Sequence, residues 1–409
     1  MELLHFIRSH AVALPLLAKF AIAMAIISVI PRLSRQVRIP AAVGLLFSGI
    51  VVGPHGLDLF DQHRPVVAFL GELGKLLLMF SAGLEIDLVL FRKSRNKSMI
   101  FGLVTTTVPL LLGTAAGLLF NYSLVPAIVL GSLLASHTLL ALPIVTKLGA
   151  AKLEPVIITV GATMLSDTLS LIVFAICVPL FKSGFSPSGL AIQIAEIAIF
   201  FPLILFGLSR LGAYFLRKTG NDEDAYFVIL FTMLAISSLL AVVINLPGIV
   251  GAFLAGLAIN ATVRDKPAKD KIEFFGNSLF IPVFFIVTGF LIDPRAFFQT
   301  ITGNFPLTVA VVGALLAGKW IAAQSTGLAF GYTSAARKTM WALTLPQVAA
   351  TLAATLVAFD TFNAAGQRLV DVKLINVVLV LVLTTSILGP VLTERFAPRL
   401  KAEQVATTG

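Results

Sequence analysis

Ala342-Leu-Thr-Leu-Pro-Gln-Val-Ala-Ala-Thr351 sets a proline, an amide and two hydroxyls in the middle of an otherwise apolar run. In lipid, every backbone polar group must find its partner inside the protein. Proline removes one N–H from a helix and crowds the turn before it. A second stretch has the same character: Leu124-Val-Pro126, then Gly131, then Ala135-Ser-His-Thr138, then Pro143. Two discontinuous helices lining a site are the expectation, with their free ends directing partial charges at an ion. Proline-kinked but continuous helices are the alternative.

The surroundings of these stretches are lipid-like. Of 409 residues, 58% are hydrophobic and 12% charged, and the mean hydropathy is +0.99. No soluble core absorbs that composition. Apolar runs near the ~20 residues that cross a bilayer recur along the chain. Thirteen spans fit, at 11–30, 38–54, 65–90, 98–119, 123–147, 155–180, 189–215, 224–243, 246–262, 275–292, 305–330, 337–359 and 369–393. They are too long and too uniformly apolar for barrel strands. The fold class is therefore an all-α polytopic membrane protein of about 13 transmembrane helices. Residues 1–393 form the transmembrane domain and 394–409 a short cytoplasmic tail. The N-terminal apolar stretch lacks a clear cleavage region and reads as a retained first helix.

Basic residues orient the chain. Of the 30 Lys and Arg, 21 follow odd-numbered spans, six lie on the opposite side, and Lys19, Lys75 and Lys319 fall inside spans. The N-terminus is expected outside and the C-terminus in the cytoplasm. The net charge of +10 is thereby explained without nucleic acid. Pairing spans 1–6 with spans 8–13, with span 7 as linker, makes the interrupted spans five and twelve equivalent members of inverted halves. Such a correspondence points to a site at the midplane.

Ionisable groups at membrane depth are costly and mark function. Glu72, Glu85, Asp87, Asp167, Glu196 and Asp360 qualify. Glu85, Asp87 and Asp360 sit at span ends, and Glu72 has Lys75 three residues on as its helical partner. Glu196 serves helix packing. Asp167 differs, standing at the centre of span six in Gly161-Ala-Thr-Met-Leu-Ser-Asp-Thr168. Thr163 shares its helical face and Ser166 adjoins it. A carboxylate among hydroxyls is a hard-oxygen environment for Na⁺ or K⁺, and an acid away from bulk water is one over which a proton and a cation compete. Ser136 and Thr138 in span five are supporting oxygens. His137, Gln347 and Thr344 are further polar groups at the two interruptions. Lys319, in the middle of span eleven, is the charge partner. The single cysteine, Cys177, is a small buried apolar residue.

Several stretches together resemble the monovalent cation:proton antiporter superfamily, in the branch holding bacterial Nap-type Na⁺/H⁺ and Kef-type K⁺/H⁺ antiporters. Leu76-Leu-Leu-Met-Phe-Ser-Ala-Gly-Leu-Glu-Ile-Asp87 is similar to its third-helix signature, Gly251-Ala-Phe-Leu-Ala-Gly256 to its ninth-helix motif, and Phe280-Ile-Pro-Val-Phe-Phe-Ile-Val-Thr-Gly-Phe-Leu-Ile-Asp293 to its tenth helix. Asp167 falls where the branch keeps its ion-binding aspartate, and Lys319 where it keeps a lysine. The resemblance implies a homodimer in the bacterial inner membrane, exchanging Na⁺ or K⁺ for H⁺ by elevator-type alternating access and needing no cofactor. Spans 1–3 and 8–10 would be scaffold, and spans 4–6 and 11–13 the ion-binding core. Two departures stand out. Ser166 replaces the first acid of the branch's frequent acidic pair, and Pro346-Gln-Val-Ala-Ala lacks the glutamate often found in span twelve.

A Na⁺-coupled organic-anion symporter of related fold competes with this reading, as does a gated cation channel. The symporter would need a second, dedicated Na⁺ site. The channel would need a carbonyl filter or a charged ring, and the sequence has neither. Enzymatic readings fail, because the sequence contains no phosphate loop, metal cluster or nucleophile triad.

Overall fold

The structure is a computed structural model describing residues 14–36, 39–60, 65–85, 94–184, 186–218, 222–263, 267–290, 293–295 and 302–408. Asp87, and the expected span ends at 11–13, 38, 86–90 and 291–292, lie outside the described residues. In chain order the helices are α1 (Leu16–Gln36), α2 (Ala41–Val52), α3 (Pro65–Glu85), α4 (Arg95–Leu119), α5 (Leu124–Ala135), α6 (Leu142–Lys147), α7 (Glu154–Ser183), α8 (Pro187–Pro202), α9 (Ser209–Lys218), α10 (Glu223–Val243), α11 (Gly248–Val263), α12 (Pro267–Phe275), α13 (Ile281–Phe290), α14 (Phe305–Ala329), α15 (Ser334–Leu343), α16 (Ala349–Phe359) and α17 (Val372–Thr408). Wide π turns at Leu203–Leu208 and Gly276–Phe280 join α8 to α9 and α12 to α13.

Nine helices among the described residues are long and apolar enough to cross a membrane, and four shorter apolar ones accompany them. The thirteen expected spans are all present as helices. Both expected interruptions are real. Span five splits into α5 and α6, and span twelve into α15 and α16, with Ser136–Leu139 and Leu345–Val348 outside any helix. The two π turns have no counterpart in the sequence reading. Each adjoins a proline, Pro202 or Pro282, whose missing N–H loosens the ladder there. Span thirteen continues as one helix to Thr408.

The chain forms two compact units, one within residues 1–85, 199–244 and 248–303, the other within 86–198, 245–247 and 304–409. In the first, glycine lets backbones touch. A Cβ on Gly83 would meet the Phe253 carbonyl, and one on Gly256 the Phe80 carbonyl, so α3 and α11 pack at contact distance. Asn260 Nδ2 crosses that contact to donate to the Leu84 carbonyl at 2.7 Å. The third- and ninth-helix motifs are thus two halves of one packing surface. Gly49 and Gly289 do the same for α2 and α13. Glu72 and Lys75 form the ion pair expected within span three, at 2.5 Å.

The second unit is built twice. α4 and α14 each hold 25 residues and end in the same turn. Gly117-Leu-Leu-Phe-Asn-Tyr-Ser123 closes the first, and Gly327-Leu-Ala-Phe-Gly-Tyr-Thr333 the second. Asn121 (φ 63°) and Gly331 (φ 72°) take the left-handed conformation. The Tyr122 N–H then reaches back to the Gly117 carbonyl at 3.1 Å, and the Tyr332 N–H to the Gly327 carbonyl at 2.8 Å. Each turn launches a short helix that stops at an interruption, α5 or α15. Close approach holds these pieces together, through Gly113 against Gly131, Gly117 against Ala127, and Gly318 against Pro109.

Candidate functional site

The second unit contains the interruptions, and their free ends explain the residues around them. When α5 stops at Ala135, its last carbonyls lose their helical partners. Lys319 Nζ, fully buried on α14, donates to the Ala135 carbonyl at 2.6 Å and to the Thr105 carbonyl of α4 at 3.0 Å. A cation at the negative end of a half-helix is favoured by the helix dipole as well as by hydrogen bonding. Gln347 Nε2 donates to the Ser136 carbonyl at 2.5 Å and to the Leu134 carbonyl at 3.5 Å. The two irregular segments also touch directly, with the Thr138 N–H on the Pro346 carbonyl at 2.8 Å. At the end of α15, Thr344 Oγ1 donates to the Trp341 carbonyl at 2.9 Å.

Asp167 sits near the middle of α7, against the first interruption. Its Oδ1 accepts the His137 N–H at 3.5 Å. The buried His137 ring is gripped at both nitrogens, Nε2 lying 2.9 Å from Thr163 Oγ1 and Nδ1 3.2 Å from Ser166 Oγ. Lys319 Nζ is 3.5 Å from the same Nδ1. An ammonium can only donate, so Nδ1 accepts. Thr163 Oγ1 spends its own hydrogen on the Thr159 carbonyl at 3.0 Å. The tautomer with its hydrogen on Nε2 satisfies these two contacts, while Ser166 Oγ also donates to the Thr163 carbonyl at 3.0 Å. A continuous polar chain runs Lys319–His137–Ser166/Thr163, with Asp167 beside it on the His137 backbone. Carboxylate and hydroxyl oxygens are the hard donors that suit a Na⁺- or K⁺-sized cation.

The expected site residues divide clearly. Asp167, Ser166, Thr163, His137 and Lys319 converge. Ser136 takes part through its carbonyl, Thr138 through its N–H, and Gln347 through its amide. Thr344 is buried at the end of α15, where its hydroxyl closes that helix. Among the described residues Lys319 makes no ion pair with Asp167; its hydrogen bonds go to the Ala135 and Thr105 carbonyls and to His137 Nδ1. The sequence reading missed Thr385 and Ser386, and quoted Thr351 in the interrupted stretch without giving it a role. Thr385 Oγ1 accepts the Gln347 N–H at 3.1 Å, Ser386 Oγ donates to the Gln347 carbonyl at 3.4 Å, and Thr351 Oγ1 donates to Gln347 Oε1. The hydroxyl run Thr384-Thr385-Ser386, central in the span equivalent to span six, was the available signal.

Against this geometry, the comparisons with known proteins are direct. The family described as the sodium/hydrogen exchanger, transmembrane, matches residues 22–396. The chain belongs to this family. Its members are membrane transporters, not enzymes. A Na⁺/H⁺ antiporter of Synechocystis, NhaS5, is 44% identical over 384 residues, covering 94% of this chain and 55% of its own length. The chain thus spans little more than half of that relative. The Na⁺/H⁺-K⁺ antiporter GerN of Bacillus cereus is 30% identical, with 89% of this chain and 92% of its own covered. Among solved structures, the sodium proton antiporter MjNhaP1 of Methanocaldococcus jannaschii superposes with a TM-score of 0.71 over 94% of this chain and 97% of its own, at 15% identity. That likeness establishes the exchanger-type fold.

Proposed function

We propose that this exchanger-family chain is a secondary antiporter, swapping a monovalent cation, Na⁺ or K⁺, for H⁺ at Asp167. The observation that carries the reading is the placement of Asp167 at mid-helix, beside the interruption of α5 and bonded to a backbone N–H that the interruption exposes. One carboxylate then serves two ligands in turn. Protonated, it is neutral and crosses without a cation; ionised, it takes one with help from nearby oxygens. The relatives whose names specify Na⁺/H⁺ or Na⁺/H⁺-K⁺ exchange support this chemistry. The unit that holds Asp167 is the candidate moving body of an elevator, and the other unit the scaffold through which a homodimer forms in a bacterial inner membrane. The basic-residue bias favours an outside N-terminus and a cytoplasmic C-terminus.

The test is reconstitution. Purified protein in liposomes with an internal pH dye is challenged with Na⁺, K⁺, Li⁺ and Rb⁺ in turn. The wild type is expected to dissipate an imposed pH gradient only when a transported cation is present. Asp167→Asn keeps the shape and removes both the titrating proton and the charge, so it should fold and show no cation-dependent dissipation. Wild-type exchange by that variant would refute the mechanism.

A further inference from the structure

The two interruptions answer each other residue by residue. The His137 N–H meets a side-chain oxygen of α7, Asp167 Oδ1. The Gln347 N–H meets a side-chain oxygen of α17, Thr385 Oγ1. His137 and Gln347 stand at equivalent places after equivalent turns, and α7 and α17 are the equivalent helices that follow. The inverted fold therefore builds the same cradle twice, and only the first contains an acid.

The second cradle is held by a dense set of hydrogen bonds. Gln347 donates through Nε2 to the Ser136 and Leu134 carbonyls, and through its N–H to Thr385. It accepts from Thr351 at Oε1 and from Ser386 at its carbonyl. The fully buried amide thus has Nε2 engaged by two carbonyls and Oε1 by one hydroxyl. Its most consequential bond is the one to Ser136. The Ser136 carbonyl and the His137 N–H belong to one planar peptide group, so fixing the carbonyl on one side fixes the direction of the N–H on the other. That N–H is the one bonded to Asp167.

We infer that Gln347 is a positioning residue for the proposed exchange: its amide clamps the Ser136–His137 peptide so that the His137 N–H faces the Asp167 carboxylate. The inference rests on Asp167 being the exchange site, and the experiment separates the two. Gln347→Ala is compared with wild type and with Thr355→Ala, a control that removes only the α16 bond from Thr355 to the Thr351 carbonyl. Hydrogen–deuterium exchange of the 134–140 segment reads the clamp, and proteoliposome kinetics read the site. Gln347→Ala should speed amide exchange in that segment and raise the half-saturating cation concentration roughly 3- to 10-fold, the effect of one hydrogen bond. The maximal rate should fall by less, and Thr355→Ala should do neither. Unchanged amide exchange in Gln347→Ala overturns the clamp. Faster amide exchange with an unchanged half-saturating concentration overturns its role at the site. A wild type without cation/proton exchange, but with the clamp signature intact, sinks the antiport reading and leaves the clamp standing.

Discussion

At the scale of single residues, the site turns on how few groups are free to change. In the proposed exchange proton and cation compete for one ionised carboxylate, so acid pH, by protonating Asp167, is expected to weaken apparent cation binding. The half-saturating cation concentration is expected to fall as pH rises, then level off once the carboxylate stays ionised. Initial rates across a pH series check this, and a value independent of pH where activity changes would rule out a shared site. Ser166 and Thr163 hold the His137 ring, whose backbone N–H meets that carboxylate, at 3.2 and 2.9 Å. Ser166→Ala or Thr163→Ala should each raise the half-saturating concentration about 3- to 10-fold while lowering the maximal rate less. If neither moves it, those hydroxyls serve only α7. Asp167 was legible from the sequence because an acid inside an apolar run needs no structural context to stand out. The roles of Ser136 and Thr138 were not. Both present backbone groups to their partners, and a sequence carries no sign of which peptide groups a break will expose.

At the scale of elements, composition wrote the spans and their interruptions, because lipid enforces helices and prolines mark where they stop. Pro143 and Pro346 announced the breaks. What joins the pieces was hidden, since it depends on which helices meet. The repeated turns show this best. Tyr122 Oη donates to Asp371 Oδ1 at 3.2 Å, at the start of α17. Lys97 Nζ lies 3.4 Å from Tyr332 Oη and 2.7 Å from Glu154, at the start of α7. Each repeat thus offers its turn tyrosine to the acid that opens the other repeat's last helix. Burial, reinforced by the adjacent carboxylate, pushes both phenols above their ordinary range, so both stay protonated as donors. The two latches should differ in strength. Asp371 also accepts the Leu374 N–H at 2.8 Å, capping α17. Lys97 and Glu154 are 40% and 49% exposed, where an ion pair contributes little. Asp371→Ala is therefore expected to cost about 1–3 kcal/mol, against about 0–1 kcal/mol for Lys97→Ala. Thermal unfolding in detergent checks the order. Equal losses would mean that the Tyr122–Asp371 latch gains nothing from its cap.

At the scale of the molecule, the question is how much charge moves per cycle. An exchanger that carries extra protons needs a second titrating group in its moving body. Two places could have supplied one, and neither does. The position before Asp167 is Ser166, and the equivalent cradle in the second repeat holds Thr385. Lys319 remains, but the Ala135 and Thr105 carbonyls occupy it at 2.6 and 3.0 Å. Its charge answers the end of a half-helix, a demand that persists whatever Asp167 binds. If Asp167 is the exchange site, one carboxylate swaps one cation for one proton, and the expected process is electroneutral. On a solid-supported membrane a cation jump should give no transient current, and clamping liposomes at an imposed voltage should leave the exchange rate unchanged. Lys319→Gln should lower the melting temperature without creating or removing voltage sensitivity, because it strips donors from two buried carbonyls. A current that scales with the cation gradient would overturn the one-for-one cycle. If Lys319→Gln abolished that current, the lysine would be the second proton carrier, and its carbonyl partners would have to be shared with the transport step.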